Sequence, residues 1–245
     1  MAFASSTRSA YKEGPPTVSN PVIVAIDGPS GTGKSSTSKA VAARLGLSYL
    51  DTGAQYRAMT WWMLSNGVDV DDSAAVATAA EKPVIISGTD PSGPSITVDG
   101  VDASGPIRTQ EVTGAVSSVS AVPEVRTRLV ELQRSAASGA PAGIVVEGRD
   151  IGTTVLPDAT LKIFLTASPE ARAARRGGEL TAAGNTVDLA ATQAALVRRD
   201  AADSGRKTSP LTKAEDAVEV DTSDLTLDQV IDRIVALIGE KRDAS

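Results

Sequence analysis

The sequence predicts an α/β fold whose central parallel sheet is covered by helices on both faces. Short apolar, β-branched runs recur along the chain, and each ends at a turn signal, as buried strands do. Between these runs, apolar residues repeat at helical spacing. Strands that alternate with helices favour a parallel sheet in a layered domain, so we expect five parallel strands flanked by helices.

Five runs are candidates for the strands of this sheet. They are residues 22–26, 48–50, 144–146, 161–165 and 217–220, with 48–50 as a short additional strand. Helices are predicted after the first run (36–45, closed by Gly46), after Pro123, and from Leu227 to the C-terminal end. Thr226 and Gln229 have the spacing of a capping box at the start of the last helix.

Two segments interrupt the alternation of strands and helices. Residues 83–106 contain two β-branched runs around a turn rich in Gly, Pro and Ser, which predicts a small antiparallel hairpin inserted into the α/β chain. Residues 175–207 carry clustered Arg and Lys, with Gly177-Gly178 and Gly184-Asn185 as candidate hinges, which is typical of a basic lid. Residues 1–20 are polar and lack an apolar signal sequence, so we interpret them as a mobile leader before one domain at 21–245.

The composition excludes several kinds of chemistry. The 245 residues include no histidine and no cysteine, which excludes disulfides, thiol chemistry and catalysis by histidine. The net charge of −6 argues against a nucleic-acid partner, and the sequence lacks the run of about 18 apolar residues that a membrane span needs. We therefore expect a cytoplasmic monomer that uses carboxylates, Lys, Arg, hydroxyls, backbone amides or a bound metal ion.

One motif indicates what the domain binds. Residues 28–35 match G-x-x-x-x-G-K-[ST] at every fixed position and lie between a predicted strand and a predicted helix, as in P-loop NTPases. Backbone N–H groups of such a loop bind phosphate oxygens. Lys34 is expected to reach the β- and γ-phosphates of ATP, and Ser35 to bind Mg²⁺. The predicted ATP-binding residues are Gly28, Pro29, Ser30, Gly31, Thr32, Gly33, Lys34, Ser35 and Ser36.

Charged residues follow the predicted strands at the edge where open α/β sheets bind ligands. Asp51 follows the run at 48–50, and Glu147, Arg149 and Asp150 follow the run at 144–146. Arg149 suits phosphate binding because its planar guanidinium can bind phosphate through two hydrogen bonds. Glu147 has the position of an acid that holds Mg²⁺ through water, and the alternative is a simple turn residue. The predicted catalytic cations are Lys34 and Arg149 of the core and Arg199 and Arg206 of the lid.

Five segments of the chain resemble the bacterial cytidylate kinase family. They are 26–34 (IDGPSGTGK), 50–57 (LDTGAQYR), 107–112 (IRTQEV), 146–153 (VEGRDIGT) and 162–165 (KIFL). The resemblance implies a nucleoside monophosphate kinase that transfers the γ-phosphoryl group of ATP in line to CMP and dCMP, with Mg²⁺. It also implies an acceptor-binding region at about 52–140, which includes the insert at 83–106, and a lid at about 175–207.

The resemblance also implies a set of residues that bind the acceptor nucleotide. Thr52, Arg57 and Arg149 are expected at its phosphate, with Arg108 of the matched segment 107–112 nearby. Ser117, Arg126 and Asp150 are expected at the cytosine base, and Arg199, Asp203 and Arg206 are expected to come from the lid, with Asp203 near the ribose.

Other functions are compatible with a P-loop taken alone. A GTPase switch would need an Asn-Lys-x-Asp guanine motif, which the sequence lacks. A kinase for another nucleoside monophosphate or for a small metabolite would share the loop without a cytosine pocket, and it is the nearer alternative. A purely structural role is difficult to reconcile with an intact phosphate-binding loop.

Overall fold

The computed structural model of the protein describes residues 21–182, 184 and 186–243. The predicted leader at 1–20 and Asn185 of the second predicted hinge lie outside the described residues. The strands are β1 (Val22–Asp27), β2 (Ser48–Asp51), β3 (Ile85–Ser87), β4 (Ile96–Val98), β5 (Val101–Asp102), β6 (Gly143–Gly148), β7 (Leu161–Thr166) and β8 (Val218–Asp221). The α-helices are α1 (Lys34–Leu45), α2 (Thr52–Ser65), α3 (Ser73–Ala79), α4 (Gln110–Ala121), α5 (Pro123–Ser138), α6 (Pro169–Ala182), α7 (Leu189–Ser204) and α8 (Leu227–Asp243).

The central sheet has five strands in the order β2-β6-β1-β7-β8, and every neighbouring pair is parallel. This confirms the five parallel strands that the sequence predicts. Each of the six residues of β6 is buried, and so are five of the six residues of β1. These strands are apolar runs without alternation because helices cover both faces of the sheet.

The helices that flank the sheet have clear start and stop signals. Helix α1 begins after Gly33 and ends at Gly46, and both glycines have left-handed backbone conformations. Before α8, the Thr226 N–H donates to Gln229 Oε1 at 2.9 Å, and the Gln229 N–H donates to Thr226 Oγ1 at 3.3 Å, so the predicted capping box forms. Leu227, which the pattern places on the apolar face of this helix, is 46% exposed instead.

The predicted hairpin at 83–106 is part of a three-stranded antiparallel sheet in the order β3-β4-β5. The third strand has only two residues, too few for a sequence pattern to reveal. This insert also reaches the central sheet, where the Tyr49 N–H of edge strand β2 donates to the Thr89 carbonyl at 2.8 Å.

The buried apolar residues form separate clusters. One cluster joins α2, α3, α4, α5 and the small sheet, with Met59, Met63 and Leu129 fully buried at its centre. Two further clusters lie against the central sheet, one of them between the sheet and helices α1 and α8. The acceptor-binding region predicted at about 52–140 therefore has an apolar core of its own.

The predicted lid consists of two helices, α6 and α7, which pack against each other. Gly177-Gly178, expected to act as a hinge, lies inside α6. A Cβ on Gly177 would approach Leu189 Cδ2 to 2.7 Å, so this glycine allows a close contact between the two helices. Among the helices of the described ranges, none combines the length and the apolar composition needed to cross a membrane.

Gly143 is predicted to be essential for pairing β6 with β1. Its φ is 107°, and a Cβ there would lie 2.2 Å from the Val22 carbonyl oxygen. We expect Gly143→Ala to lower the free energy of unfolding by about 2 kcal/mol or more. An alanine is strained at this φ, and its Cβ would force β6 away from β1. Gly239→Ala in α8, where a Cβ meets nothing within 4 Å, is the control and should raise stability by up to about 1 kcal/mol. Urea unfolding of both variants is the measurement, and equal midpoints would contradict the prediction.

Candidate active site

A cavity of about 1060 Å³ opens where the central strands end, between the loop after β1, the acceptor-binding region and the lid. It brings together most of the residues singled out from the sequence. They are Ser30, Gly31, Gly33, Lys34, Ser35, Ser36, Thr52, Arg57, Arg108, Ser117, Glu147, Arg149, Asp150, Arg199, Asp203 and Arg206. Gly28, Pro29, Thr32 and Arg126 are not among the residues that line this cavity.

The phosphate-binding loop depends on glycine at three positions. Gly28 has a φ of 147°, and a Cβ there would lie 2.2 Å from the Leu165 carbonyl oxygen, so β7 packs directly against the loop. Gly31 and Gly33 also have positive φ values, of 80° and 88°. The Thr32 hydroxyl donates to the Pro29 carbonyl at 3.1 Å, which holds the loop closed on itself.

Lys34 is buried at the floor of the cavity and is 7% exposed. Its Nζ donates to the Pro29 carbonyl at 2.6 Å. Burial lowers the pKa of Lys34 well below its usual range, and the nearby Arg149 lowers it further. A phosphate group in the loop would restore the favourable environment of the ammonium ion, so this site is suited to an anion.

Glu147 and Ser35 form a small oxygen-rich group beside Lys34. The Ser35 hydroxyl donates to Glu147 Oε2 at 3.0 Å, and the Tyr49 hydroxyl donates to Glu147 Oε1. Burial raises the pKa of Glu147 to about 7, and Asp51 adds to the effect. Hydroxyl and carboxylate oxygens suit Mg²⁺, which takes few protein ligands and keeps several waters. In the described ranges, no group of three or more His, Cys, Asp or Glu side chains is clustered closely enough to hold a metal ion.

Asp27 connects the phosphate-binding loop to the segment that follows β6. Its two carboxylate oxygens accept the backbone N–H groups of Ile151 and Gly152, both at 2.8 Å. These residues open a short π-helical turn, 151–155, directly after Arg149 and Asp150. Burial raises the pKa of Asp27 to about 6, against the opposing effect of the two N–H groups.

Arg149 of the core and Arg206 of the predicted lid both pair with Asp203, and Arg149 also binds Ser30. Arg149 Nη2 donates to Ser30 Oγ at 2.7 Å, and Arg149 Nε donates to Asp203 Oδ2 at 3.0 Å. Arg206 pairs with the other oxygen of Asp203. Burial alone would raise the pKa of Asp203, but the nearby arginines outweigh it and lower that pKa. Burial lowers the pKa of Arg199 to about 10, and Arg149 and Arg57 add to the effect.

The residues expected at the acceptor nucleotide line the other end of the cavity. The Thr52 hydroxyl donates to the Glu147 carbonyl at 2.7 Å, and Arg57 Nη1 donates to Thr113 Oγ1 at 2.9 Å. Arg126, expected at the cytosine base, is 3% exposed and pairs with Asp150. Its guanidinium lies 5.3 Å from the centre of the Tyr56 ring.

The site also contains residues that the sequence analysis missed. Asp27, Tyr49, Arg172 and Asp200 each hold a functional segment in place, yet each does so through a partner more than 20 residues away. One signal was available: Asp27 is a carboxylate at the end of an apolar strand, directly before the phosphate-binding loop.

The sheet order, the P-loop and the cation-rich cavity define a P-loop phosphotransferase. A family model described as cytidylate kinase matches residues 24–240. The chain belongs to the cytidylate kinase family and is a nucleoside monophosphate kinase, as the five segments indicated. The activity of this family is the ATP-dependent phosphorylation of CMP, and membership excludes the GTPase alternative.

Curated relatives match nearly the whole chain. A cytidylate kinase of Streptomyces griseus subsp. griseus is 74% identical over 229 residues, which cover 94% of this chain and 97% of the relative. A cytidylate kinase of Streptomyces coelicolor is 73% identical over 221 residues, covering 90% and 94%. One from Corynebacterium glutamicum is 55% identical over 225 residues, covering 91% and 97%.

The environment of Glu147 predicts a pH-dependent change in stability. A carboxyl group whose pKa is raised from 4.5 to about 7 stabilises the fold while protonated, and this contribution is lost as the pH rises through that interval. Glu147→Gln replaces the carboxyl with a neutral amide, so the variant does not lose stability by ionisation at this position. Without nucleotide, it should therefore melt about 2 °C or more above the parent at pH 8. The difference should disappear near pH 4.5, where both side chains are neutral.

The matched control for this prediction is Glu219→Gln, because Glu219 forms an exposed pair with Lys213. Thermal unfolding of the three proteins at both pH values, without added metal, is the measurement. A difference between Glu147→Gln and the parent that is the same at both pH values would contradict the assignment of the raised pKa.

Proposed function

We propose that this chain transfers the γ-phosphoryl group of ATP directly to the phosphate of CMP, and of dCMP, to give ADP and the cytidine diphosphate. One observation carries the proposal: a single cavity is lined both by the phosphate-binding loop and by the arginines expected at the acceptor and in the lid, Arg57, Arg108, Arg149, Arg199 and Arg206. An oxygen of the acceptor phosphate attacks the γ-phosphorus while the bond to the bridging β–γ oxygen breaks.

The donor end of the cavity binds the triphosphate of ATP. The backbone N–H groups of residues 31–35 and the N-terminus of α1 provide the oxygen-binding surface. Lys34 exchanges its hydrogen bond to the Pro29 carbonyl for the β- and γ-phosphates, which compensates for its burial. Lys34 thereby stabilises charge that moves towards the leaving group during transfer.

The acceptor end binds the nucleoside monophosphate. Thr52, Arg57, Arg108 and Arg149 hold its phosphate, which is already an anion at neutral pH and needs no strong general base. Ser117, Arg126 and Asp150 read the cytosine base, and Arg126 is paired with Asp150. Asp203 binds the ribose once the acceptor has entered. Apart from Arg126, all of these residues line the same cavity as the phosphate-binding loop, which supports the proposal.

The lid completes the charge around the transferred group. Arg199 is half-buried near other cations, which is unfavourable without an anion and becomes favourable when phosphates enter. Arg206 reaches the same space from the end of α7. These contacts arise when both substrates are bound, so they act mainly on the transition state.

We further propose that Ser35 and, through water, Glu147 hold the Mg²⁺ of MgATP. The ion supplies charge neutralisation between the β- and γ-phosphates. Ser35 and Tyr49 orient the carboxylate of Glu147 for this role. The chain acts as a cytoplasmic monomer without a nucleic-acid partner, because one chain lines both ends of the cavity and the net charge is −6.

A coupled assay of ADP release with each nucleoside monophosphate tests the proposed acceptor. We expect CMP and dCMP to be used best, and a preference for another nucleoside monophosphate or a small metabolite would overturn the choice of acceptor. Lys34→Met serves as the inactive control, with turnover lowered about a hundredfold or more at an unchanged fold. Parent-level turnover by this variant would contradict the role of the loop.

A small substitution at Ser117 tests the proposed base pocket. It lines the cavity from α4, whereas its neighbour Ser118 is exposed and does not. We expect Ser117→Ala to lower kcat/KM for CMP about three- to tenfold and to weaken the preference over UMP, because one hydrogen bond to the base is lost. Ser118→Ala should match the parent, and the same loss in both variants would place the base elsewhere.

Arg199 provides the test of the lid. We expect Arg199→Ala to lower kcat about a hundredfold, with a much smaller change in the Kd of ATP alone, because the contact forms mainly in the transition state. Arg198→Ala removes an exposed neighbouring cation on the same helix and is the control. Single-turnover kinetics and equilibrium binding are the measurements. Parent-like turnover of Arg199→Ala would make the lid a passive cover.

A further inference from the structure

Hydrogen bonds to the backbone of one residue, Ser30, link helices α6 and α7 to the phosphate-binding loop. The Ser30 N–H donates to Asp200 Oδ1 of α7 at 3.1 Å. The Ser30 carbonyl accepts Arg172 Nη1 of α6, also at 3.1 Å. Arg172 and Asp200 form an ion pair with each other, which closes a ring of three interactions. The side chains of the two charged residues are only 9% and 17% exposed.

We propose that Arg172 and Asp200 are positioning residues that fix the lid to the phosphate-binding loop and so place Arg199 over the reacting phosphates. Asp200 follows Arg199 directly in α7, and Asp203 lies one turn further on. Hydrogen bonds between charged partners are stronger and more directional than neutral ones, so this ring limits the position of α7.

The location of the pair distinguishes it from the residues that bind substrate. Arg199, Asp203 and Arg206 line the cavity, whereas Arg172 and Asp200 are not among its lining residues. Arg172 and Asp200 therefore affect the reaction only by positioning residues that do line the cavity, such as Arg199. Ser30 also accepts Arg149 Nη2 on its hydroxyl at 2.7 Å, so the same residue connects the lid, the loop and the segment after β6.

These contacts set the position of the lid relative to the loop. Gly31 strengthens the contact, because a Cβ there would approach Arg172 Cβ to 3.1 Å, and α6 thus packs closely on the loop. Without the ring, α7 can move away from Ser30, and Arg199 occupies its productive position for a smaller fraction of the time. This lowers turnover more than nucleotide binding.

The inference rests on the proposed role of Arg199 in the lid, and two variants test it kinetically. Asp200→Asn keeps an oxygen for the Ser30 N–H but removes the ion pair, and Arg172→Lys keeps the charge but loses the planar guanidinium. We expect each to lower kcat about tenfold or more while the Kd of ATP changes less than about threefold. Asp232→Asn, which removes an exposed ion pair with Arg44, is the control and should match the parent.

A distance measurement tests the position of α7 without relying on turnover. The chain has no cysteine, so Ala43→Cys on α1 and Val197→Cys on the exposed face of α7 can carry a single pair of spin labels. We expect a narrow distance distribution in the labelled parent without nucleotide, and a broader or longer one after Asp200→Asn is added.

Two outcomes would overturn the proposal. One is an unchanged distance distribution in the labelled Asp200→Asn protein. The other is a loss of ATP affinity as large as the loss of kcat, because that result assigns the pair to the loop alone. If the parent itself fails to phosphorylate CMP, the proposed function fails, whereas the distance measurement still decides whether the pair holds α7.

Discussion

The parallel pairing of β1 with β6 is the constraint on which the site depends. It aligns Ile26 with Glu147 and Asp27 with Gly148, so the phosphate-binding loop and the segment after β6 leave the sheet side by side. This alignment brings Ser35 within hydrogen-bonding distance of Glu147. A slip of one residue would turn Glu147 to the opposite face of the sheet and separate the donor end from the acceptor end.

Carboxylates pair with the arginines that lie in and beside the cavity. Asp203 pairs with Arg149 and Arg206, and Asp200 pairs with Arg172. Buried cations without anionic partners would repel each other and destabilise the fold. Entering phosphates can replace part of this internal compensation, so the protein keeps a preorganised positive site at a limited cost in stability.

The parts of the fold that could be predicted from the sequence are encoded locally. The phosphate-binding loop, the capping box at Thr226 and the apolar strands each depend on residues within a few positions of one another. The contact of Tyr49 with Glu147 and the support that Asp27 gives to the segment after β6 depend on strand order, which a single sequence does not encode locally. The close contact at Gly177 depends in the same way on a distant residue, because the neighbour that requires a glycine there lies on another helix.

The hydrogen bond from Tyr49 to Thr89 has a consequence for solubility. Strand β2 is at the edge of the sheet, where unpaired backbone groups offer a template for a strand of another molecule. Thr89 occupies one of these positions with the chain's own carbonyl. The insert within the predicted acceptor-binding region thus also protects the central sheet against intermolecular strand addition, and shortening it would expose that edge.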